Sequence, residues 1–200
     1  MSRLSGDGAE RRSRARTQLL TSYVALLRGI NVGGNRRVPM LDLRRLLTGA
    51  GFNDVRSYLA SGNILLTSDD PASAVADRME CVIAEFFGFD VDVIVRSADE
   101  WHAYLHDVAL EEQGDGAPNL LMLMVGKQPA TDEHVQVLRT RASQNERVER
   151  RGDALWLFYG DGSGRSNMSI APVAGIWTTR NLRTVRAVAA MLTAAPDGQA

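Results

Sequence analysis

The chain has 200 residues, 44% apolar and 24% charged, with a net charge of −1 at pH 7. That length suits one or two compact domains, and the balance is that of a soluble globular chain rather than a disordered one. No apolar run is long enough to span a bilayer, and a near-neutral chain is not a polyelectrolyte held to duplex nucleic acid by counterion release.

Charge is not spread evenly. Residues 1–20 carry Arg3, Arg11, Arg12, Arg14 and Arg16 against Asp7 and Glu10, a balance of +3, so the other 180 residues sum to −4. This stretch has no apolar periodicity and no apolar core of a secretory signal, and it reads as a disordered Arg-rich tail. Any nucleic-acid contact is expected to be weak and to run through this tail. A single cysteine, Cys81, rules out an intrachain disulfide and fits a reducing cytoplasm.

Tyr23–Leu27 reads as a strand apolar on both faces, bounded by Arg28-Gly29. Pro39 suits a first helical position. Leu43, Leu46, Leu47 and Ala50 follow helical spacing to a stop at Gly49 and Gly51. Residues 55–60 and 64–67 flank Ser61-Gly62-Asn63 as a hairpin. Asp70-Pro71 opens a helix with Val75, Met79, Val82, Ile83 and Phe86 on its apolar face, and residues 91–95 form a fourth strand. The order β-α-β-β-α-β is the split βαβ, or ferredoxin-like, plait. Ser97-Ala-Asp-Glu100 is a capping box for a third helix. Residues 111–118 read as a polar linker.

The pattern then restarts. Residues 120–125 are an apolar strand, Thr131 caps a helix bearing Val135, Leu138 and Ala142, and residues 147–150 and 154–159 flank Arg151-Gly152-Asp153 as a second hairpin. Asp161–Asn167 is a loop leading into a short helix limited by Pro172. Residues 176–179 form a last strand, and Asn181 caps a closing helix. The reading is an α+β protein of two tandem ferredoxin-like alpha-beta plaits, each an antiparallel sheet with helices on one face. The boundaries are a tail at 1–20, a first plait at 21–98, a connecting helix and linker at 99–118 and a second plait with C-terminal helix at 119–195. First strands apolar on both faces imply that each sheet's second face is covered, by the other half or by a second subunit; a homodimer is one way to do it.

Leu27-Arg-Gly-Ile-Asn-Val-Gly-Gly34, Ser61-Gly-Asn63, Gly164-Arg-Ser166 and Thr178-Thr-Arg-Asn181 together resemble the bacterial domain of unknown function family 1697, over a span from about Tyr23 to Leu192. The resemblance implies tandem alpha-beta plaits and carries no catalytic residues. Asn167 stands where relatives tend to have lysine, which puts a cationic role there in doubt.

Glycines let backbone N–H groups approach a phosphate, and arginines add bidentate contacts. The loop Arg28–Arg37 has both, so Arg28, Asn31, Gly33, Gly34 and Arg36 are candidate ligand contacts, with Ser61, Asn63, Arg165, Ser166 and Arg180 if the segments converge. The alternative is a set of turns whose glycines supply positive φ. The loop is neither a Walker loop nor a dinucleotide fingerprint. His102 and His106 share a helix face, but no third ligand stands near, so no metal is expected; no cofactor is expected either. Cys81 reads as a buried inert thiol, Trp156 and Phe158 as core filling rather than base-stacking residues. No nucleophile elbow or motif histidine supports hydrolytic chemistry. The functional expectation is a protein that binds a small phosphate-bearing or otherwise anionic, nucleotide-like ligand. One alternative is a transferase acting on such a ligand. The other is an assembly or partner-binding protein whose motifs are structural.

Overall fold

The computed structural model describes residues 20–194 apart from 35, 107, 109, 169, 170 and 172. The tail expected at 1–20 therefore lies almost wholly outside the described residues.

Two four-stranded antiparallel sheets form. The first joins β1 (Thr21–Leu27), β2 (Asn53–Tyr58), β3 (Asn63–Ser68) and β4 (Val93–Ser97) in the order β2-β3-β1-β4. The second joins β5 (Leu121–Gly126), β6 (Arg147–Arg151), β7 (Ala154–Phe158) and β8 (Trp177–Asn181) in the matching order β6-β7-β5-β8. Each sheet's first strand is central, which is why Val24–Leu27 and Leu123–Val125 are apolar on both faces and buried.

Around the first sheet, α1 (Met40–Gly49) and α2 (Ala72–Phe87) cover one face. Leu43 and Leu47 of α1 and Val75, Met79 and Ile83 of α2 pack on Tyr23, Ala25, Leu27, Leu66 and Val95. Pro39 and Pro71 stand one position earlier than the sequence suggested: both are extended cap residues with no side-chain bond to the helix, and the helices start behind them.

The other face of each sheet is covered within the chain. Val24, Leu26 and Ile94 of the first sheet and Leu121, Leu123, Val125 and Trp156 of the second share one cluster with α3 (Ala98–His106) and α6 (Leu182–Thr193). Those two helices form a layer between the sheets, and Trp101 Nε1 of α3 donates to the Val185 carbonyl of α6. Trp101 and Trp156 are fully buried there. Each removes on the order of 200 Å2 of mostly apolar surface from water, a gross gain of ~5 kcal/mol. Trp156 is therefore core filling and has no free face for a base.

Capping follows the sequence closely in this layer. Ser97 Oγ accepts from Glu100 N–H while Glu100 Oε2 accepts from Ser97 N–H, the expected reciprocal box. Asn181 Oδ1 accepts from Thr184 N–H at the start of α6. At α5 (Asp132–Arg139), Thr131 makes the same kind of box with His134 instead of Glu.

The second sheet differs from expectation on its outer face. There α5 packs Val135 and Leu138 against Met124, Leu155 and Leu157, but no second α-helix joins it among the described residues. A 3-10 turn at Ser163–Arg165 stands in the crossover, with Met168 and Val173 buried. The short helix expected after Asn167 falls partly on 169, 170 and 172, outside the described residues; Asn167, Met168, Ala171 and Val173 are not helical. The segment holds too few apolar positions at helical spacing to bury a stripe, so Met168 and Val173 plug the core singly.

Two further expectations are corrected. Residues 111–118 are not simply linker: α4 (Glu111–Gly116) forms, with Gly114 buried. A Cβ on Gly114 would meet Leu121 Cδ2 at 2.5 Å and Leu182 Cδ2 at 2.9 Å, so the glycine allows a close approach that composition alone reads as flexibility. Cys81 is exposed, because it stands two residues from both Met79 and Ile83 and so falls on the side of α2 away from the Val75–Met79–Ile83 stripe.

Candidate functional site

The site is built where β1 runs out. Leu27 N–H donates to the Gly62 carbonyl (2.8 Å), and Arg28 N–H donates to the Asp92 carbonyl (2.9 Å). The end of the central strand is thus held between the β2–β3 turn and the approach to β4. The chain must then reverse through residues 28–39 to enter α1.

Asn31 fixes that reversal. It adopts a left-handed backbone, φ 55, which asparagine tolerates better than most residues. Its Nδ2 donates to the Val38 carbonyl (3.0 Å) and the Ala60 carbonyl (2.7 Å), and its Oδ1 accepts from Val38 N–H (2.9 Å). The amide is spent inside the protein, closing the loop on itself and pinning it to the β2–β3 turn.

That turn meets the second half of the chain through Arg180. Asn63, fully buried, donates Nδ2 to the Tyr58 carbonyl (2.8 Å) and to Ser61 Oγ (3.1 Å). Its Oδ1 accepts from Arg180 Nε of β8. Arg180 Nη1 donates to Thr178 Oγ1 (2.8 Å) and the Thr179 carbonyl (2.8 Å). Its Nη2 donates to the Leu27 carbonyl (3.2 Å) and the Ser61 carbonyl (3.0 Å). Five N–H donors thus meet five neutral acceptors, three of them across the joint between the halves. Burial without a carboxylate pulls the Arg180 guanidinium down to about 10.

Arg28 lies beside this joint but is bound more loosely. Its Nε donates to the Trp177 carbonyl at the start of β8 (3.0 Å), and its Nη1 stands 3.5 Å from Asp92 Oδ2. Asp92 also lies 3.6 Å from Lys127 Nζ, which contacts Glu80 Oε1 at 2.6 Å. Burial alone would lower the Lys127 ammonium, but its hydrogen bond to Glu80 and the attraction of Glu80 and Asp92 raise it overall. This chain of charges joins β1, α2 and the approach to β4 to the end of β5. Sequence reading missed it. The available signal was that Lys127 is the sole lysine in a chain with 23 basic residues.

Arg28, Arg36, Glu80, Cys81, Asp90 and Asp92 are among the residues that line one surface cavity of about 400 Å3. Arg36 is exposed, and its Nη1 passes 3.9 Å from where a Cβ on Gly29 would sit, so it folds back over the start of the loop. Gly33 and Gly34 are exposed at φ 65 and 79, and a Cβ on either would meet nothing within 4 Å. The structure thus brings Arg28 and Arg36 to one cavity and draws Asn31, Ser61, Asn63 and Arg180 into the internal network. It does not bring in Arg165 and Ser166. Arg165 is exposed on the 3-10 turn, and Ser166 Oγ accepts from Met168 N–H (2.9 Å) within its own loop.

Residues 20–156 match the model of a family described as a protein of unknown function, DUF1697. The chain belongs to the DUF1697 family. It is also similar in structure to the conserved bacterial protein SP0830 from Streptococcus pneumoniae, at 24% identity and a TM-score of 0.71, covering 88% of this chain and 100% of that one. At that identity the likeness speaks for the fold. A search of curated proteins finds no match.

A second polar joint in this DUF1697 protein ties β4 and α3 to the turn between β6 and β7. Arg96 of β4, only 8% exposed, donates Nε to Tyr104 Oη (2.9 Å) and to Asp153 Oδ2 (3.1 Å), and Nη2 to the Gly126 carbonyl (2.8 Å). Tyr104 Oη in turn donates to Asp153 Oδ1 (2.8 Å). Burial, the largest cause, and the Asp153 carboxylate push the Tyr104 hydroxyl well above its ordinary range, although Arg96 works against them. Burial lowers the Arg96 guanidinium, but Tyr104 and Asp153 more than offset it and hold it above its usual value. The sequence marked Asp153 only as a turn residue. Among the described residues no three His, Cys, Asp or Glu side chains gather as a metal site, and no helix is long and apolar enough to cross a membrane.

Proposed function

We propose that this DUF1697 protein binds a small phosphate-bearing, nucleotide-like ligand in the Arg28–Arg36 cavity. The observation that carries the reading is the convergence of two arginines from one loop on a single cavity while the motif's other polar groups are consumed internally. Arg28 commits its Nε firmly and its Nη1 only at 3.5 Å, so it can turn donors to a phosphate at little expense. Asp90 and Asp92 on the same wall can accept from sugar hydroxyls, which suits a ligand with both groups. Asn31, Ser61, Asn63 and Arg180 act one step back: they hold the loop that presents the arginines. Gly33 and Gly34 keep the tip bare for backbone approach, and Arg165 and Ser166 stand outside this site.

The same reading takes each half as a ferredoxin-like plait, duplicated in tandem, because the two strand orders match and each half opens with a central strand followed by a helix. A reducing compartment such as the cytoplasm suits a chain with one exposed thiol. A transferase on the same ligand would act by positioning and charge stabilisation, with Arg28 and Arg36 as its electrostatic groups. The assembly reading has one specific support: an Arg180 with every donor satisfied inside the protein is a folding device, not a ligand clamp.

Thermal unfolding with added pyrophosphate or nucleoside diphosphate tests the proposal. Either should raise the midpoint by mass action, roughly 2–4 °C per kcal/mol of binding energy for a chain of this size. Arg36→Ala should leave the ligand-free midpoint unchanged and abolish the rise. An equal rise in both proteins, or none in either, defeats the proposal.

A further inference from the structure

Five large hydrophobic residues are exposed among the described residues, and three of them stand next in sequence to residues that line one depression: Val32 at 64%, Leu41 at 50% and Leu59 at 57%. Val32 is next to Asn31, whose side chain is bonded to Ala60, the neighbour of Leu59. Leu41 follows Met40 at the start of α1. That depression, of about 370 Å3, is lined by Asn31, Arg37, Val38, Pro39, Met40 and Ala60. It shares no lining residue with the Arg28–Arg36 cavity.

Leu59 is the informative member. It stands at φ 58, a left-handed backbone that a bulky residue seldom adopts, and its side chain is left in solvent. Gly, Asn or Asp would fit this turn position with less strain and no exposed apolar surface. The fold alone gives no return for a leucine there. A partner that covers it would.

The charge beside this depression says what kind of partner. Residues 37–45, which run from the depression into α1, carry Arg37, Arg44 and Arg45 against Asp42 alone, whereas the chain as a whole carries −1. Such a local excess steers acidic partners and repels basic ones. The apolar centre is concave, which takes a side chain; a bilayer is met by a convex or flat apolar surface.

The geometry points to a docking surface for an acidic segment of a partner protein, with one large apolar side chain seated in the Val38–Met40–Ala60 depression and covering Leu59, and carboxylates meeting Arg37 and its neighbours. This goes beyond the cavity ligand and does not depend on it.

Fluorescence anisotropy with a short labelled peptide, glutamates flanking one leucine and one phenylalanine, tests the surface. The intact protein should bind it saturably and should not bind the same peptide with lysines in place of glutamates. Leu59→Gly should weaken binding about tenfold, as expected for loss of an apolar anchor, while the melting temperature stays level or rises because glycine suits φ 58. Arg37→Glu should weaken binding without loss of fold. Three outcomes overturn the proposal: no saturable binding of the acidic peptide, unchanged binding by Leu59→Gly, or binding to phosphatidylserine vesicles in place of the peptide. Self-association that Leu59→Gly abolishes would also overturn it, by assigning the surface to a second copy of the chain.

Discussion

Arg180 carries a guanidinium into the joint between the two sheets and meets five neutral acceptors there, with no carboxylate among its described contacts. Its fork geometry is what makes this arrangement work: an ammonium has three donors and cannot fill five places. Arg180→Gln and Arg180→Lys should therefore both be destabilising, by about 2–4 kcal/mol, because the Leu27 and Ser61 carbonyls and Asn63 Oδ1 lose their partner in a dry place. Denaturant unfolding checks this; a lysine variant as stable as the parent would refute the account of the fork. Gly62 is constrained by two facts at once: φ 78 and a Cβ position 2.7 Å from Leu27 Cβ. Gly62→Ala should lower stability by about 2 kcal/mol or more, from backbone strain plus overpacking, measured in the same way. The sequence singled out Arg28, Asn31, Arg36, Ser61, Asn63 and Arg180, which the structure gathers around the end of β1, together with Arg165 and Ser166, which it does not. What they do was less legible, since Asn31 or Arg180 has the same chemistry whether it faces a ligand or a carbonyl from residues far away in the chain. Long-range pairing, such as that of Arg180 with Leu27, leaves no local spacing to read.

Helices and strands were more legible than their edges. Buried central strands, a capping box at Ser97, an N-cap at Asn181, and hairpin turns at Gly62 and Gly152 all come from local physics, and each is found. The second crossover and α4 were not, because both are decided by packing: Gly114 is helical against Leu121 and Leu182, and the segment after Ser163–Arg165 fills its core with isolated side chains. The joint between β4, α3 and the β6–β7 turn was also invisible, since Arg96, Tyr104 and Asp153 belong to three different elements. That joint makes a pH prediction. A tyrosine whose hydroxyl is held above its unfolded value of about 10 favours the folded state fully below that pH and loses this contribution as pH rises towards the folded value. Wild type should thus lose stability as pH climbs past about 10. Tyr104→Phe should be less stable at neutral pH by about 1–2 kcal/mol, for the lost bonds to Arg96 and Asp153, but should show a shallower alkaline decline. Thermal unfolding between neutral and alkaline pH compares the two slopes; parallel slopes would dissociate Tyr104 from the alkaline decline.

Taken whole, the molecule is five layers: α1 and α2, the first sheet, α3 with α6, the second sheet, and α5. The shared middle layer makes the two halves one hydrophobic unit, so each sheet's second apolar face needs no second subunit to bury it. Polar joints are set at the rim of this layer, Arg180 with Asn63 at one and Arg96 with Asp153 at another. The Arg28–Arg36 cavity opens beside the first, where Arg28 reaches across to the Trp177 carbonyl and Asp92 is shared with Lys127 of the other half. A ligand that draws Arg28 away from Asp92 would sit against residues of the first half and act on the second through the Arg28 bond to the Trp177 carbonyl and the Asp92–Lys127 pair. Titration of pyrophosphate into the labelled protein, followed by amide resonances, tests this most directly. Shifts should appear at Arg28, Gly29, Arg36 and the Asp90–Asp92 segment and should be lost in Arg28→Ala. Shifts centred on Arg165 and Ser166, or none at saturating pyrophosphate, would contradict the account.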